Sequence, residues 1–212
     1  MVAARFLRRA VPPPEPPSLV AGAVTLTPVA ADHYAAWREA AAACEGYLRR
    51  WQPTWPEGHL GRDSYERRLA IYERDRTRGT GAAWHLFVGE ALVGMLRLSG
   101  VQRGAARSCE VGYWVAERAR GRGHAKAALT AACEHAFGPM DLLRVEAACA
   151  VGNEASLAVL RRCGFAFEGI ARSYLELDGV RRDHHRLAKL APGLAAEASS
   201  CGAESRDQTR RP

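Results

Sequence analysis

Between Arg118 and Lys126 the chain reads Arg-Ala-Arg-Gly-Arg-Gly-His-Ala-Lys, a basic run rich in glycine. The apolar stretch before it, 109–115 (Cys-Glu-Val-Gly-Tyr-Trp-Val), has the aromatic and β-branched content of a strand. After it Leu129, Ala132, Cys133 and Ala136 form one helical face, which predicts a helix over 125–137. A strand, a glycine loop and a helix start make a seat for a phosphorylated ligand. The glycines let the backbone approach closely, so that consecutive N–H groups point at phosphate oxygens. The helix N-terminus adds its partial positive charge to the same spot.

The remaining pattern alternates strands and helices. Residues 24–29 alternate like a strand, and Asp32 is placed to cap a helix running through Trp37 to about Cys44. Residues 47–56 (Tyr-Leu-Arg-Arg-Trp-Gln-Pro-Thr-Trp-Pro) read as a connection. Asp63 with Glu66 resembles a helix cap, followed by Tyr65, Leu69 and Tyr72 at helical spacing. Strands over 83–88 and 91–98 flank Gly89-Glu90, a hairpin turn. A strand over 145–150 and a helix over 153–163 follow, with Leu157 and Leu160 inward and Gly164 in the stop position. Asp178-Gly179 joins closing strands over 167–177 and 180–190. This order describes a mixed sheet with helices on its faces.

A chain of 212 residues fits one domain with tails. Residues 1–22 contain Pro12-Pro13-Pro14-Glu15-Pro16-Pro17 and read as a flexible segment, and 192–212 read as a disordered tail. That leaves 23–191 as the folded domain, without internal repeats. No apolar run approaches the length of a membrane span, and the N-terminus lacks the apolar stretch of a signal peptide. The six cysteines lack metal-type spacing, and most fall in apolar patterns, which favours a reducing, cytoplasmic setting. The net charge of +7, carried almost wholly by arginine, suits an anionic ligand or an acidic partner such as RNA; a codon bias towards Arg accounts for it equally well.

The loop fits neither common nucleotide pattern. No acidic residue follows at the dinucleotide-binding distance, and no Gly-Lys-Ser/Thr is present. Its neighbours are more telling: Glu-Val-Gly-Tyr-Trp-Val before it, then Asn153-Glu154-Ala155-Ser156 and Arg162-Cys163-Gly164-Phe165 after one helix and one strand. This arrangement resembles the GCN5-related N-acetyltransferases. Arg120-x-x-Gly123-x-Ala125 matches that superfamily's pyrophosphate loop for acetyl-CoA. The ending, with 167–174, Asp178-Gly179 and Arg182-Asp183-His184, together with Trp51-x-Pro53, resembles the RimJ/RimL branch, N-terminal acetyltransferases of ribosomal proteins, and is nearer RimJ.

The resemblance implies an α/β (α+β) fold: a mixed, mostly antiparallel sheet of about seven strands with helices on both faces. It implies a cofactor cleft where the family's fourth and fifth strands splay apart, here 109–115 and 145–150. Acetyl-CoA is the implied cosubstrate. Its pyrophosphate would lie on Arg120, Gly121, Arg122, Gly123, His124, Ala125 and Lys126. Its pantetheine would lie along Trp114 and Val115 and against Asn153 and Ser156. Glu110 is the implied general base, and Ser156 is a candidate hydrogen-bond donor to the leaving sulfur. Many relatives place a Tyr further along that helix, where this chain has Val159 and Leu160.

The competing readings of these residues are ordinary ones: Glu110 as a solvent-facing carboxylate, Asn153 as a helix cap. Trp51, Trp55, Tyr174 and Asp183 are candidate acceptor-site residues; aromatic residues on loops serve equally as satellite core. His184 and His185 are adjacent on a strand and point to opposite faces, so shared metal ligation is not expected. The implied acceptor is the α-amine of a protein N-terminus, such as that of a ribosomal protein. An α-amine titrates at about 7.7–8.0 and lysine at about 10.4, so lysine costs about 3.5 kcal/mol more to deprotonate, and a single carboxylate is adequate for the α-amine. A small amine (a polyamine or an antibiotic) is a second acceptor class. A ribosome- or RNA-binding protein without catalysis is a third reading. The sequence leaves monomer and homodimer open.

Overall fold

The computed structural model describes residues 15–194. The strands are β1 (Leu19–Ala21), β2 (Val24–Pro28), β3 (Ala82–Val88), β4 (Ala91–Gln102), β5 (Ser108–Val115), β6 (Arg144–Ala150), β7 (Ala166–Leu177) and β8 (Val180–Leu190). The helices are α1 (Tyr34–Ala42), α2 (Glu45–Trp51), α3 (Arg62–Thr77), α4 (His124–Phe137) and α5 (Glu154–Arg162). All the strands join one eight-stranded sheet of order β1-β2-β3-β4-β5-β6-β8-β7. Only β5 and β6 run parallel; every other pairing is antiparallel.

That parallel pair is short. It holds at Ser108↔Arg144, Cys109↔Val145 and Glu110↔Glu146 and then ends. Beyond Glu110, β5 stays with β4 as far as Gly94↔Val115, while β6 stays with β8 as far as Ala150↔His184. The sheet therefore opens into two wings after Glu110. At the end of the β4 wing the strands approach very closely: a Cβ on Gly94 would lie 2.2 Å from the Trp114 carbonyl oxygen, so only glycine fits there.

Period-two alternation gives the sheet two buried faces. One packs Leu86, Leu96, Leu98 and Val145 against Leu129, Cys133, Leu157 and Leu160 of α4 and α5. The other packs Leu92 and Trp114 against Trp37, Leu48, Trp55 and Tyr65 of the α1–α3 side. Truncating Leu96 or Leu129, both fully buried, to Ala would cost about 2–5 kcal/mol.

Most predicted elements stand where expected, within a few residues. The differences lie in the first third. Leu19–Ala21 is an eighth strand, paired with β2 through Leu19↔Leu26, and Trp84 Nε1 donates to the Pro17 carbonyl at 2.9 Å. The folded unit thus starts before residue 23; the neighbouring prolines concealed a three-residue strand. Residues 1–14 lie outside the described residues, as does 195–212 of the proposed tail, whereas 192–194 form a helical turn.

Helix α2 replaces the first half of the connection expected over 47–56. Leu48 is buried, and Glu45 and Arg49 pair at 2.7 Å with helical i,i+4 spacing. Pro53 then stops the helix rather than marking the whole segment as irregular. Asp32 is not a cap, because it sits inside a short 3-10 turn before α1, which starts without a side-chain cap. Asp63 is likewise inside the first turn of α3, whose N-cap is Gly61. A carboxylate there still complements the helix dipole. None of the described helices is long and apolar enough to cross a membrane.

Candidate active site

The opening between β5 and β6 is a cavity of about 560 Å³. Its walls come from Val111 to Val115, Ala147 to Ala150, the start of α5, and Tyr47 and Trp51 of α2. At one end lies the glycine loop. Gly121 (φ 72°) and Gly123 (φ 81°) are left-handed, a conformation strained for any other residue. Gly123 is the N-cap of α4 and supplies no capping side chain. The Ala127 N–H bonds the Gly123 carbonyl at 3.0 Å, so the N–H groups of Gly123, His124, Ala125 and Lys126 have no intrahelical acceptor. An uncapped helix start of this kind fits an anion.

Arg122 and Lys126 are exposed beside the loop and His124 is half-buried. Arg120 turns inward: its guanidinium lies 3.4 Å from the centre of the Tyr47 ring, and Nε donates to the Val115 carbonyl at 3.4 Å. Its Nη2 is buried without a hydrogen-bond partner, although the side chain borders the cleft. A buried, unpartnered guanidinium nitrogen three residues before Gly123, at the uncapped start of α4, suits an anionic ligand.

Along the opposite wall, Asn153 caps α5, its Oδ1 accepting from the Ser156 N–H at 3.2 Å. Both residues line the cleft. Ser156 Oγ lies 3.1 Å from the Tyr113 hydroxyl. Tyr113 reaches it from β5, and burial holds its hydroxyl well above the ordinary phenol range, so it stays protonated. Cys149 stands in the same wall, and burial pushes its thiol up.

Glu110 is the last β5 residue paired with β6. Its carboxylate is half exposed, and Oε1 accepts from Arg186 Nη1 at 3.3 Å, Arg186 Nη2 at 3.4 Å and the Tyr174 hydroxyl at 3.5 Å. Tyr174 thus joins Glu110, and both stand beside the cavity rather than among the residues that line it. Trp51, half-buried, lines the cleft near Leu175 and Leu177 of β7. The Asp178 N–H bonds the Gln52 carbonyl at 3.3 Å, tying the β7–β8 turn to the end of α2.

Two candidates go elsewhere. Trp55 is 6% exposed, stacked on His59 at 3.8 Å, in a separate cavity of about 600 Å³ beside α1 and α2. Asp183 Oδ1 accepts from the Ser173 N–H at 2.8 Å and so holds the left-handed residue of the β7 bulge. It shapes the strand that carries Tyr174 without facing the cleft. His184 lines the cleft, whereas His185 packs on Phe167.

Residues 23–166 match the acetyltransferase (GNAT) domain family. The chain belongs to the GNAT family. It is an acetyl-CoA-dependent N-acetyltransferase. It is 31% identical over 161 residues to the [ribosomal protein uS5]-alanine N-acetyltransferase of Escherichia coli (strain K12), a match that spans 74% of this chain and 83% of that one. Mycobacterium smegmatis RimJ, solved in complex with CoA-disulfide, superposes with a TM-score of 0.79 at 33% identity, over 84% of this chain and 88% of that one. RimL, a ribosomal L7/L12 α-N-protein acetyltransferase solved with coenzyme A, shares the fold at a TM-score of 0.76 and 22% identity, over 82% of this chain and 98% of that one.

In this GNAT enzyme the sequence pattern pointed to the loop, to Glu110 and to α5, but passed over two residues that line the cleft, Tyr113 and Tyr47, and over Arg186, which holds Glu110. Tyr113 supplies a phenol from β5 to the wall where the expected helix tyrosine is replaced by Val159 and Leu160. Alternation along β5 was the available signal, since it sends Tyr113 to the face opposite Glu110. Tyr47 was hidden by the unrecognised α2. Arg186 was one arginine among several in the last strand, with nothing local to set it apart.

Proposed function

We propose that this GNAT enzyme acetylates the N-terminal α-amine of a protein in the cytoplasm, with a ribosomal protein beginning with a small residue such as Ala as the substrate class. The observation that carries the reading is the placement of Glu110. A half-exposed carboxylate stands where the cofactor cleft opens, with Tyr174 and Arg186 holding one oxygen. The similarity to a uS5-alanine N-acetyltransferase over most of both chains supports the same acceptor. The net charge of +7 suits a substrate presented on a ribosome.

Acetyl-CoA supplies the acetyl group as a thioester: the amine nitrogen bonds to the acetyl carbon as the carbon–sulfur bond breaks. The α4 start and Arg120 bind the diphosphate end. Asn153 and the free edge of β5 at Trp114 and Val115 orient the arm between the wings. Glu110 accepts the amine proton. An α-amine titrates at about 7.7–8.0 and is partly neutral near pH 7, so one carboxylate completes its activation. Ser156 Oγ, held by the Tyr113 hydroxyl, donates towards the sulfur. Trp51, Leu175 and Leu177 line the side from which the acceptor end enters.

Thiol release from acetyl-CoA tests the reading. Peptides beginning with Ala, Ser or Met are compared with N-terminally blocked Lys-containing peptides and with spermidine. The free Ala or Ser peptides should turn over fastest. Equal rates on free and blocked Ala peptides, or faster turnover of spermidine, would remove the α-amine assignment.

A further inference from the structure

Arg186 makes more contacts at the cleft than a surface arginine needs. It rises from β8 and reaches across β6 to β5. Nη2 donates to Glu146 Oε2 at 2.7 Å and Nη1 to the Tyr174 hydroxyl at 2.9 Å, while both nitrogens reach Glu110 Oε1 at 3.3 and 3.4 Å. Glu110 and Glu146 are direct partners in the last parallel pair before the strands separate. Two carboxylates side by side on one sheet face repel each other. Here that repulsion would act at the point where the cleft opens.

Glu146 is compensated from the other side as well. Arg144 Nε donates to Glu146 Oε1 at 2.8 Å, and Arg144 also pairs with Glu168 of β7. The result is a ladder across four strands: Glu168, Arg144, Glu146, Arg186, Glu110. It ends on the candidate base. Every contact made to Glu110 within this group, including that of Tyr174, falls on Oε1. Among the described residues no hydrogen bond reaches Oε2.

We propose that Arg186 is a positioning residue for acetyl transfer. It neutralises Glu146 and holds Glu110 by Oε1, so that Oε2 is presented in a fixed direction to the acceptor amine. The proposal rests on Glu110 as the base. Arg186 touches neither reactant in this arrangement; it acts through the carboxylate. A guanidinium suits the task, because its planar fork reaches Glu146 and Glu110 at once, where a single ammonium is a point charge.

The test uses the full chain, acetyl-CoA and an Ala-start peptide. Arg186→Gln should lower kcat by about 100-fold, the loss typical of a reacting group displaced by about an ångström, with the KM for acetyl-CoA within about three-fold. Adding Glu146→Gln to Arg186→Gln removes the repulsion and should recover about ten-fold. A merely structural arginine would not give that recovery together with an unchanged KM. If Arg186→Gln does not fold, the double variant carries the test, because it leaves no unpaired carboxylate couple, and its kcat should be about ten-fold below the parent. Parent-like kcat in Arg186→Gln, or in the double variant alone, overturns the proposal where Glu110→Gln is slow. So does a loss that Glu146→Gln does not relieve. Full activity of Glu110→Gln overturns the base assignment and the positioning role together, which separates the two failures.

Discussion

The two ends of the cleft are built from different materials. The end proposed to hold the diphosphate is mostly backbone: left-handed glycines, uncapped N–H groups of α4 and the free edge of β5. The end proposed to take the acceptor is side chains from distant segments: Glu110 from β5, Tyr174 from β7 and Arg186 from β8 in mutual contact, with Trp51 from α2 in the cavity wall. A backbone site depends on a few φ angles within one short segment. A side-chain site depends on the whole sheet being assembled in register. The first should therefore fail by loss of binding, and the second by loss of rate with binding preserved.

The largest expected effect breaks the backbone end. Gly123→Glu places a negative side chain at φ 81° against the anion seat, and acetyl-CoA binding measured by calorimetry should fall by at least about 100-fold, or about 2.7 kcal/mol. A rate defect with normal binding would show that the loop is not the seat.

Glu110→Gln, at the other end, should lower kcat by about 100-fold or more while leaving the acetyl-CoA dissociation constant nearly unchanged. Parallel losses in both would collapse the distinction between the two ends.

A third prediction concerns β3 where it packs under the α1–α3 layer. His85 is 1% exposed, beside His33 and Tyr65, with the two histidine Nδ1 atoms 3.0 Å apart. Burial and the neighbouring His33 lower its pKa to about 3. The unfolded chain binds this proton below about pH 6.5 and the native chain does not, so stability is complete above that pH and is lost as the pH falls towards 3. Denaturant unfolding at pH 5 should show about 2 kcal/mol less stability than at pH 7 from this group. His85→Leu should flatten that part of the slope, and an unchanged slope would show that His85 is not its source.

The smallest effect lies between the two ends. Tyr113→Phe removes the 3.1 Å partner of Ser156 Oγ and should slow turnover by about three- to ten-fold, the worth of one hydrogen bond. Combined with Ser156→Ala it should add little, because the two hydroxyls act through one contact. Fully multiplicative losses would mean that they act separately.

The same contrast explains what could be read in the sequence. The loop and its flanking strand and helix are contiguous, so their spacing is visible directly. Asn153 at the start of α5 is local too, and its capping bond is the one such a position makes. Trp55 and Trp51 look alike in sequence, yet one is stacked on His59 in the second core and the other borders the cleft. Helix α2 decides between them, and the prolines that follow it mask its short amphipathic pattern. Arg186 acquires its role from Glu110, 76 residues away, and from Glu146, 40 residues away. No local periodicity encodes such a meeting; only the pairing of β6 with β8 does. Asp183 shows the reverse case, where a polar residue beside cleft residues serves the backbone of a bulge.

Glu110 and Tyr113 are three residues apart on β5, so their side chains leave the sheet on opposite sides. The cavity nonetheless takes residues of both orientations from this strand, Gly112 and Trp114 as well as Val111, Tyr113 and Val115. It therefore passes through the plane of the sheet where the pairing of β5 with β6 has ended. A group seated in that gap is open to both faces at once, to the carboxylate side and to the hydroxyl pair of Tyr113 and Ser156.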